Sequence, residues 1–430
     1  MIVRGNLAGM LSLTFLLLCG RLAAQDVSGT WQGKLQAGAG IRTVVKIEKA
    51  DTGEWKGTFY AIDQTPQGVP LPSVTVQDGV VRFSIEMLHG QYEGLLAPDG
   101  QSIKGTWTQG QSWELDFQRA TPETAWALDP SPHKVQMVAV EPDLKLEVLD
   151  WGGTGRPIVL LAGLGNTAHD FDRLAPKLAA SYHVFGITRR GFGASSSPPP
   201  TPQNYSADRL GDDLPAVMDA LKIERPVLVG HSIAGEELSS VGSRHPEKVA
   251  GLIYLDAGYS YAYYDKEHGD AILDALDAKS RLDSWLSGKG FDPEHFFPDL
   301  QATLTQLNKD IAQAAKKYAL TPASMRSSAD LPLIQAAITA GEKKYTAIPV
   351  PVLAIYAAPH NFDSLPIADA AAKAAMVAFD LENTKTQAHA LEVGVPGARI
   401  VLLPNADHFV YESNEADVLR EMNEFLATLK

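Results

Sequence analysis

The sequence predicts a two-part protein. A doubly wound, mostly parallel α/β sheet with a helical lid is preceded by a small all-β, antiparallel, barrel-like domain. Three observations predict this. Residues 26–119 are a series of short alternating segments punctuated by turn residues. Residues 120–135, ATPETAWALDPSPHKV, hold three prolines and no apolar period, as a linker does. From residue 136 onward, continuous apolar runs alternate with helical stretches, the pattern of parallel strands buried on both faces. A chain of 430 residues also exceeds what a single core ordinarily holds.

The first segment, 1–24, reads as a secretory signal peptide. Arg4 supplies a positive start, AGMLSLTFLLLCG at 8–20 an apolar stretch, and Leu22-Ala23-Ala24 small residues for cleavage. The apolar stretch is short for a membrane span. The expected location is therefore the bacterial periplasm or the outside medium, with no stable membrane span after processing. Cys19 is the single cysteine and falls inside this segment. The mature chain then has no thiol for disulfides, thiolate zinc sites or a cysteine nucleophile.

Residues 25–119 are expected to form an antiparallel meander of about eight strands. Asp78-Gly79 and Asp99-Gly100 lie between alternating runs and mark hairpins. Gly29-Thr30-Trp31, Gly57-Thr58-Phe59 and Gly105-Thr106-Trp107 form a weak internal repeat. Closure into a barrel would remove exposed edges. The strand spacing is similar to that of streptavidin-like or lipocalin-like barrels. Trp31, Trp55 and Trp107 could serve a binding face or pack inside; the sequence leaves both open.

Residues 136–430 form the α/β domain. VQMVAV and KLEVLDWG predict an antiparallel hairpin. PIVLLAG, YHVFGIT, RPVLVG, VAGLIYLD, VPVLAIYA and ARIVLLP predict buried strands. Helices are expected near 168–180, 206–222 and 411–429. Residues 258–348 interrupt the alternation with helical segments and fit a lid inserted between two strands.

Four segments carry the chemistry. Gly230-His231-Ser232-Ile233-Ala234-Gly235 follows one strand and precedes a helix, so a strained turn holds Ser232 at the sheet edge. Leu161-Ala162-Gly163-Leu164-Gly165-Asn166 is a glycine loop directly after PIVLL. Arg189-Arg190-Gly191-Phe192-Gly193-Ala194-Ser195 follows YHVFGIT. Asn405-Ala406-Asp407-His408-Phe409 follows ARIVLLP. In this order the segments resemble the α/β-hydrolase superfamily over roughly residues 136–430. The resemblance implies Ser232 as nucleophile and His408 as general base. It implies the backbone N–H groups of Leu164 and Ile233 as oxyanion donors. Ala162 stands where that loop usually has histidine, and Ala234 where the elbow more often has glycine. The arginine-glycine segment identifies the fold and is expected to be structural.

The third triad member is open between two aspartates. Where relatives usually place the acid, this chain has Pro359 and His360, with Asp363 a few residues on. Asp256, at the end of LIYLD, is favoured for its rigid position at a strand terminus; Asp363 is the alternative. His231, His360 and His389 lack the position expected of the base. Glu236 and Glu237 open the helix after the serine and are expected to complement its dipole, with recognition of a substrate amine as the alternative.

The reaction implied is cleavage of a carboxylic ester, with an amide as the alternative, through an acyl-serine intermediate. Serine at the elbow argues against epoxide hydrolase and dehalogenase chemistry. The outline also resembles proline iminopeptidases and cofactor-free haloperoxidases. The lid tyrosines 259, 261, 263 and 264, with Trp285, Phe291, Phe296 and Phe297, suit an apolar acyl or aryl group, although most are expected to form the lid's own core. A competing reading is a binding protein that kept the scaffold and lost activity. The net charge of −14 argues against nucleic acid as a partner. Neither a metal-binding pattern nor a nucleotide-phosphate loop is evident, so no metal and no cofactor are expected.

Overall fold

The computed structural model describes residues 26–429 except 37–39, 51, 65–67, 89, 130, 289–291, 322–330, 364–366 and 368. The expected signal segment, with Cys19, and the lid residue Phe291 lie outside the described residues.

The amino-terminal part contains β1 (Gly29–Leu35), β2 (Ile41–Lys49), β3 (Trp55–Ala61), β4 (Val69–Gln77), β5 (Val80–Ile85), β6 (Gly90–Leu96), β7 (Ser102–Gln109), β8 (Gln111–Glu114) and β9 (Phe117–Arg119). From β1 to β7 each strand pairs antiparallel with the next, and β9 bridges β7 back to β1. Eight strands therefore close a ring, while β8 folds back on β7 outside it. The Asp78-Gly79 turn between β4 and β5 has φ of 52° and 80°, so both residues take the left-handed conformation that matches hairpin twist.

Alternate residues along these strands point inward, as in the strictly alternating burial of β6. Trp31, Phe59, Phe83, Tyr92, Trp107 and Phe117 fill the interior. Phe59 stacks on Trp107 with ring centroids 5.6 Å apart, and Phe83 on Tyr92 at 4.8 Å. Trp31 and Trp107 are thus core residues, and Trp55 packs against that core.

The second sheet contains β10 (Lys134–Glu141), β11 (Leu144–Gly152), β12 (Pro157–Leu161), β13 (His183–Ile187), β14 (Val227–His231), β15 (Gly251–Leu255), β16 (Val352–Ala357) and β17 (Arg399–Leu403). Their spatial order is β10-β11-β13-β12-β14-β15-β16-β17. β10 and β11 form the expected antiparallel hairpin, and β12 to β17 run parallel. β13 is added on one side of β12 and β14 on the other, so the loops leaving the carboxyl ends of β12 and β14 open a crevice at this switch point.

Ten helices accompany the described strands: α1 (Ala175–Leu178), α2 (Pro202–Tyr205), α3 (Ala207–Leu221), α4 (Ala234–Arg244), α5 (Ala271–Ser287), α6 (Pro293–Leu320), α7 (Leu333–Thr339), α8 (Ala370–Gly394), α9 (Val410–Ser413) and α10 (Glu415–Thr428). Two apolar layers sandwich the sheet; Leu228 of β14 points into one, and Val227 and Val229 into the other. That arrangement explains why these strands read as unbroken apolar runs.

Two expected helices are corrected. Residues 168–180 form a short 3-10 turn at Ala168–Phe171 and the single turn α1, divided where Pro176 enters. The carboxyl-terminal helix is two pieces separated at Asn414. α5, α6 and α7 lie in the insertion between β15 and β16. Among the described residues no helix is long and apolar enough to cross a membrane.

Candidate active site

Ser232 follows β14 directly and precedes α4. Its φ of 54° is the left-handed region, which costs a non-glycine residue roughly 1–3 kcal/mol and persists only where surrounding structure imposes it. Two backbone bonds impose it here: Ser232 N–H donates to Leu255 O at 3.2 Å, and Gly235 N–H to Ser232 O at 2.9 Å. The turn is packed so closely that a Cβ at Gly235 would collide with the Ala257 carbonyl. The hydroxyl is therefore lifted off the sheet edge, partly exposed, at the helix start.

The loop after β12 runs beside this elbow. A Cβ on Gly163 would stand 3.2 Å from Ser232 Cβ. Among the described residues, neither the Leu164 nor the Ile233 N–H donates a hydrogen bond within the protein. Arg189 explains why this loop keeps its shape. Its guanidinium donates to Ala162 O at 2.9 Å and Gly163 O at 3.3 Å, and pairs with buried Glu237. A buried cation thus satisfies the loop carbonyls from within the fold. Arg190, the next residue, is locked to Asp213 at 2.6 Å and Glu141 at 2.9 Å, a structural role.

Asp256, His360 and His408 follow the neighbouring strands β15, β16 and β17, so strand adjacency alone brings them together. His408 Nδ1 donates to Asp256 Oδ2 at 2.6 Å. The same oxygen accepts from His360 Nε2 at 2.7 Å. The other, Oδ1, accepts from Tyr259 Oη–H at 2.7 Å and from Ala357 N–H at 3.0 Å. Burial alone would raise this carboxyl, but the bonds from His360 and His408 outweigh it and hold Asp256 well below the usual carboxylate range. Asp363 lies elsewhere: it is exposed and paired with Lys373 at 2.7 Å. Asp256, rather than Asp363, is the carboxylate bonded to His408.

His360 bridges two carboxylates. Its Nδ1 lies 3.0 Å from Asp380 Oδ2 on α8, and its backbone N–H donates to the same oxygen at 2.8 Å. Burial opposes the charged ring, yet Asp256 and Asp380 together push its pKa up to about 10. An imidazolium is thus fixed behind the Asp256–His408 pair. Sequence reasoning set His360 aside because it lacks the base's position. Its signal was its place after a strand flanked by those leading to Asp256 and His408.

His231 supports the histidine loop instead. Burial pushes its pKa down to about 3, so the ring is neutral, and Nε2–H donates to the His408 carbonyl at 3.0 Å. The His231 and His408 rings lie 4.6 Å apart between centroids. Ser232 Oγ and the His408 ring form no hydrogen bond among the described residues. Such contacts are often long before substrate binds and close in the complex. Asn166 of the glycine loop donates to Asp170 at 3.0 Å, and Tyr411 beside the histidine loop donates to that same carboxyl.

The lid aromatics mostly pack among themselves. Trp285, Phe296 and Phe297 form a cluster between α5 and α6, with centroids 5.3–5.8 Å apart. Tyr264 bonds Asp274, and Tyr261 is half-buried against the core beside the sheet. An apolar group does flank the elbow: Leu164, Phe192, Ile233 and Ile334 pack around Tyr205, Leu210, Ala337 and Ile338.

Glu236 and Glu237 stand in the first turn of α4, where acids complement the helix dipole, but they do so inside the fold. Both are fully buried in the first turn of α4. Glu237 is neutralised by Arg189, whereas neither oxygen of Glu236 has a hydrogen-bond partner among the described residues. Burial, reinforced by Glu342 and Glu237, raises its pKa well above the ordinary value.

Comparison with known proteins gives consistent relatives. The sequence model described as "Alpha/beta hydrolase family" matches residues 158–421. A fluoroacetate dehalogenase of Burkholderia sp. is 35% identical over 117 residues, 27% of this chain and 38% of that protein. Epoxide hydrolase A of Mycobacterium tuberculosis is 34% identical over 114 residues, 26% of this chain and 35% of that protein. The chain therefore spans well under half the length of these relatives. The crystal structure of a bromoperoxidase from Bacillus anthracis is similar at 18% identity and a TM-score of 0.44, over 68% of this chain and 100% of that one.

Proposed function

The chain belongs to the alpha/beta hydrolase family, and from that premise we propose that it is a serine hydrolase that cleaves a carboxylic ester through an acyl-Ser232 intermediate. The observations that carry this reading are a serine held at φ 54° on a strand–helix elbow and a histidine, on the loop after β17, whose Nδ1 is fixed by a buried carboxylate 2.6 Å away.

In this mechanism Ser232 Oγ attacks the ester carbonyl carbon while His408 Nε2 takes its proton. With Nδ1–H committed to Asp256, the neutral ring has Nε2 as its acceptor. Asp256 remains ionised and stabilises the imidazolium that forms. The Leu164 and Ile233 N–H groups receive the developing oxyanion. Collapse expels the alcohol, which takes the proton from His408. Water, deprotonated by the same ring, then attacks the acyl carbon and releases the acid and Ser232.

The names of the relatives include a dehalogenase and an epoxide hydrolase. A hydroxyl at the elbow supports acyl transfer instead, because displacement of halide or opening of an epoxide calls for a carboxylate nucleophile there. The side chains of Leu164, Phe192, Ile233 and Ile334 support an apolar acyl or aryl group on the substrate. An amide is the alternative substrate. Incubation with a fluorophosphonate probe tests the reading. The wild type should be labelled once and Ser232→Ala not at all; equal labelling of the two sinks the proposal.

A further inference from the structure

A second cluster of histidines and carboxylates lies away from the elbow, where the segment joining the barrel to the second sheet crosses the body of the protein. Asp129 and His133 lie on that segment. His169 lies in the 3-10 turn after β12, and Asp172 caps it. A donor atom from each of the four lies within 4.8 Å of the others.

The four residues bring nitrogen and oxygen donors within reach of one cation, to which His133 can offer only one of its two ring nitrogens. His133 Nε2 is 3.2 Å from Asp129 Oδ2, and its Nδ1 is 3.2 Å from Asp172 Oδ1. His169 Nδ1 is 3.2 Å from Asp172 Oδ2. Around a tetrahedral zinc with bonds of about 2.0–2.1 Å, neighbouring donor atoms stand about 3.3 Å apart.

Hydrogen bonding accounts for only part of the cluster, the bond between His169 Nδ1 and Asp172 Oδ2 at 3.2 Å. The His133 side chain is wholly buried, yet among the described residues neither of its ring nitrogens has a hydrogen-bond partner. Asp172 Oδ1 and His169 Nε2 are in the same position. Leaving several buried polar atoms without directional partners is costly, and a cation among them would satisfy donor atoms that protons do not.

The donor set selects the kind of cation. Two imidazoles and two carboxylates suit a divalent transition metal, whereas magnesium and calcium prefer oxygen alone. Glu147 Oε1 sits 3.8 Å from His169 Nε2, on the side of the ring away from Asp172. A carboxylate behind a ligating imidazole is the usual outer support of such sites.

We propose that Asp129, His133, His169 and Asp172 form a structural Zn²⁺ site that clamps the connecting segment onto the hydrolase domain. Four protein ligands close the shell, as in structural rather than catalytic zinc centres. The segment is already held nearby by Trp151 Nε1–H donating to Ser131 Oγ at 2.6 Å. The site stands independently of the serine mechanism.

The test uses the full chain, stripped with a chelator, equilibrated with ZnCl₂, gel-filtered and analysed for metal by mass spectrometry. One zinc per chain is expected, and Co²⁺ in its place should give the visible bands of a four-coordinate centre. Zinc at a hundredfold excess over Kd should raise the Tm of the stripped chain by about 3 °C. Retention of less than about a tenth of an equivalent overturns the proposal. His133→Ala and Asp172→Asn should each abolish retention; a full equivalent in both overturns it. If either variant fails to fold, Asp129→Asn, at the more exposed rim, replaces it. Competition with a chelator should then give a Kd weaker by at least about tenfold, and an unchanged Kd overturns the assignment.

Discussion

A single carboxylate organises the residues that matter most. Asp256 accepts four hydrogen bonds, two of them from histidines, and its own φ of 47° turns it off the end of β15. Asp256→Asn is expected to lower turnover by about 10⁴-fold, as removal of a triad carboxylate does. Asp363→Asn, which breaks an exposed pair with Lys373, should change it by less than about twofold. Steady-state rates of the two variants on a chromogenic ester check this; the reverse order would assign the acid to Asp363. His360 makes a separate prediction. Its pKa is raised to about 10 in the fold, so its charged form stabilises the protein fully below its unfolded pKa of about 6.5. That contribution is lost as pH rises through about 10. His360→Gln should therefore flatten the fall of Tm between pH 7 and pH 10, and a slope equal to the wild type's would contradict the bridge to Asp256 and Asp380. Ser232, His408 and Asp256 were legible in the sequence as candidates because each directly follows or closely trails an apolar strand. His360 was not, because its role depends on which strands are neighbours, and order along the chain does not state that.

Among the elements, α4 and α8 mark the limits of pattern reading. The first turn of α4 has two acids, which by local rules complement the dipole on a solvated surface. Tertiary packing overrides this, burying both and supplying one arginine between them. Glu236 is consequently held as a neutral acid, at a cost that grows as pH rises above the ordinary carboxyl range, because the unfolded chain then releases its proton. Glu236→Gln should leave Tm nearly unchanged at pH 4.5 and raise it at pH 8 by a few degrees. Calorimetry at both pH values checks this, and an equal shift at each would argue against a protonated Glu236. α8 escaped notice for a different reason. Its sequence from Ala370 is rich in alanine, so helix propensity is high but apolar and polar faces hardly contrast. Its importance lies in presenting Asp380 to His360, a contact 20 residues apart that no periodicity reports.

At the scale of the molecule, each residue proposed for the chemistry belongs to the second sheet or its loops. The barrel meets the connecting segment through Gln32 Nε2–H to Thr124 O at 2.9 Å, and the second part through Thr167 Oγ–H to Gln64 O. Residues 120–430 expressed alone should keep fluorophosphonate labelling at Ser232 while losing some stability. Loss of labelling with the fold intact, judged by circular dichroism, would place the barrel in the active site. The change from period-two alternation to continuous apolar runs made both architectures readable, since it reports directly which strand faces are buried. The exact path of ring closure through β9 was not readable. Residues 112–118 read as one strand, and only the return from β7 to β1 separates β9 from β8.

That closure has a consequence for how the molecule behaves in a crowded suspension. A ring of strands offers no long ragged border onto which a stretched peptide could graft itself and seed a fibre. What projects beyond the ring is β8, four residues from Gln111 to Glu114 that are mostly polar and open to water. So brief a lip is a poor template, and the amino-terminal part gains protection from self-adhesion through its connectivity as well as through the chain's surplus of negative charge.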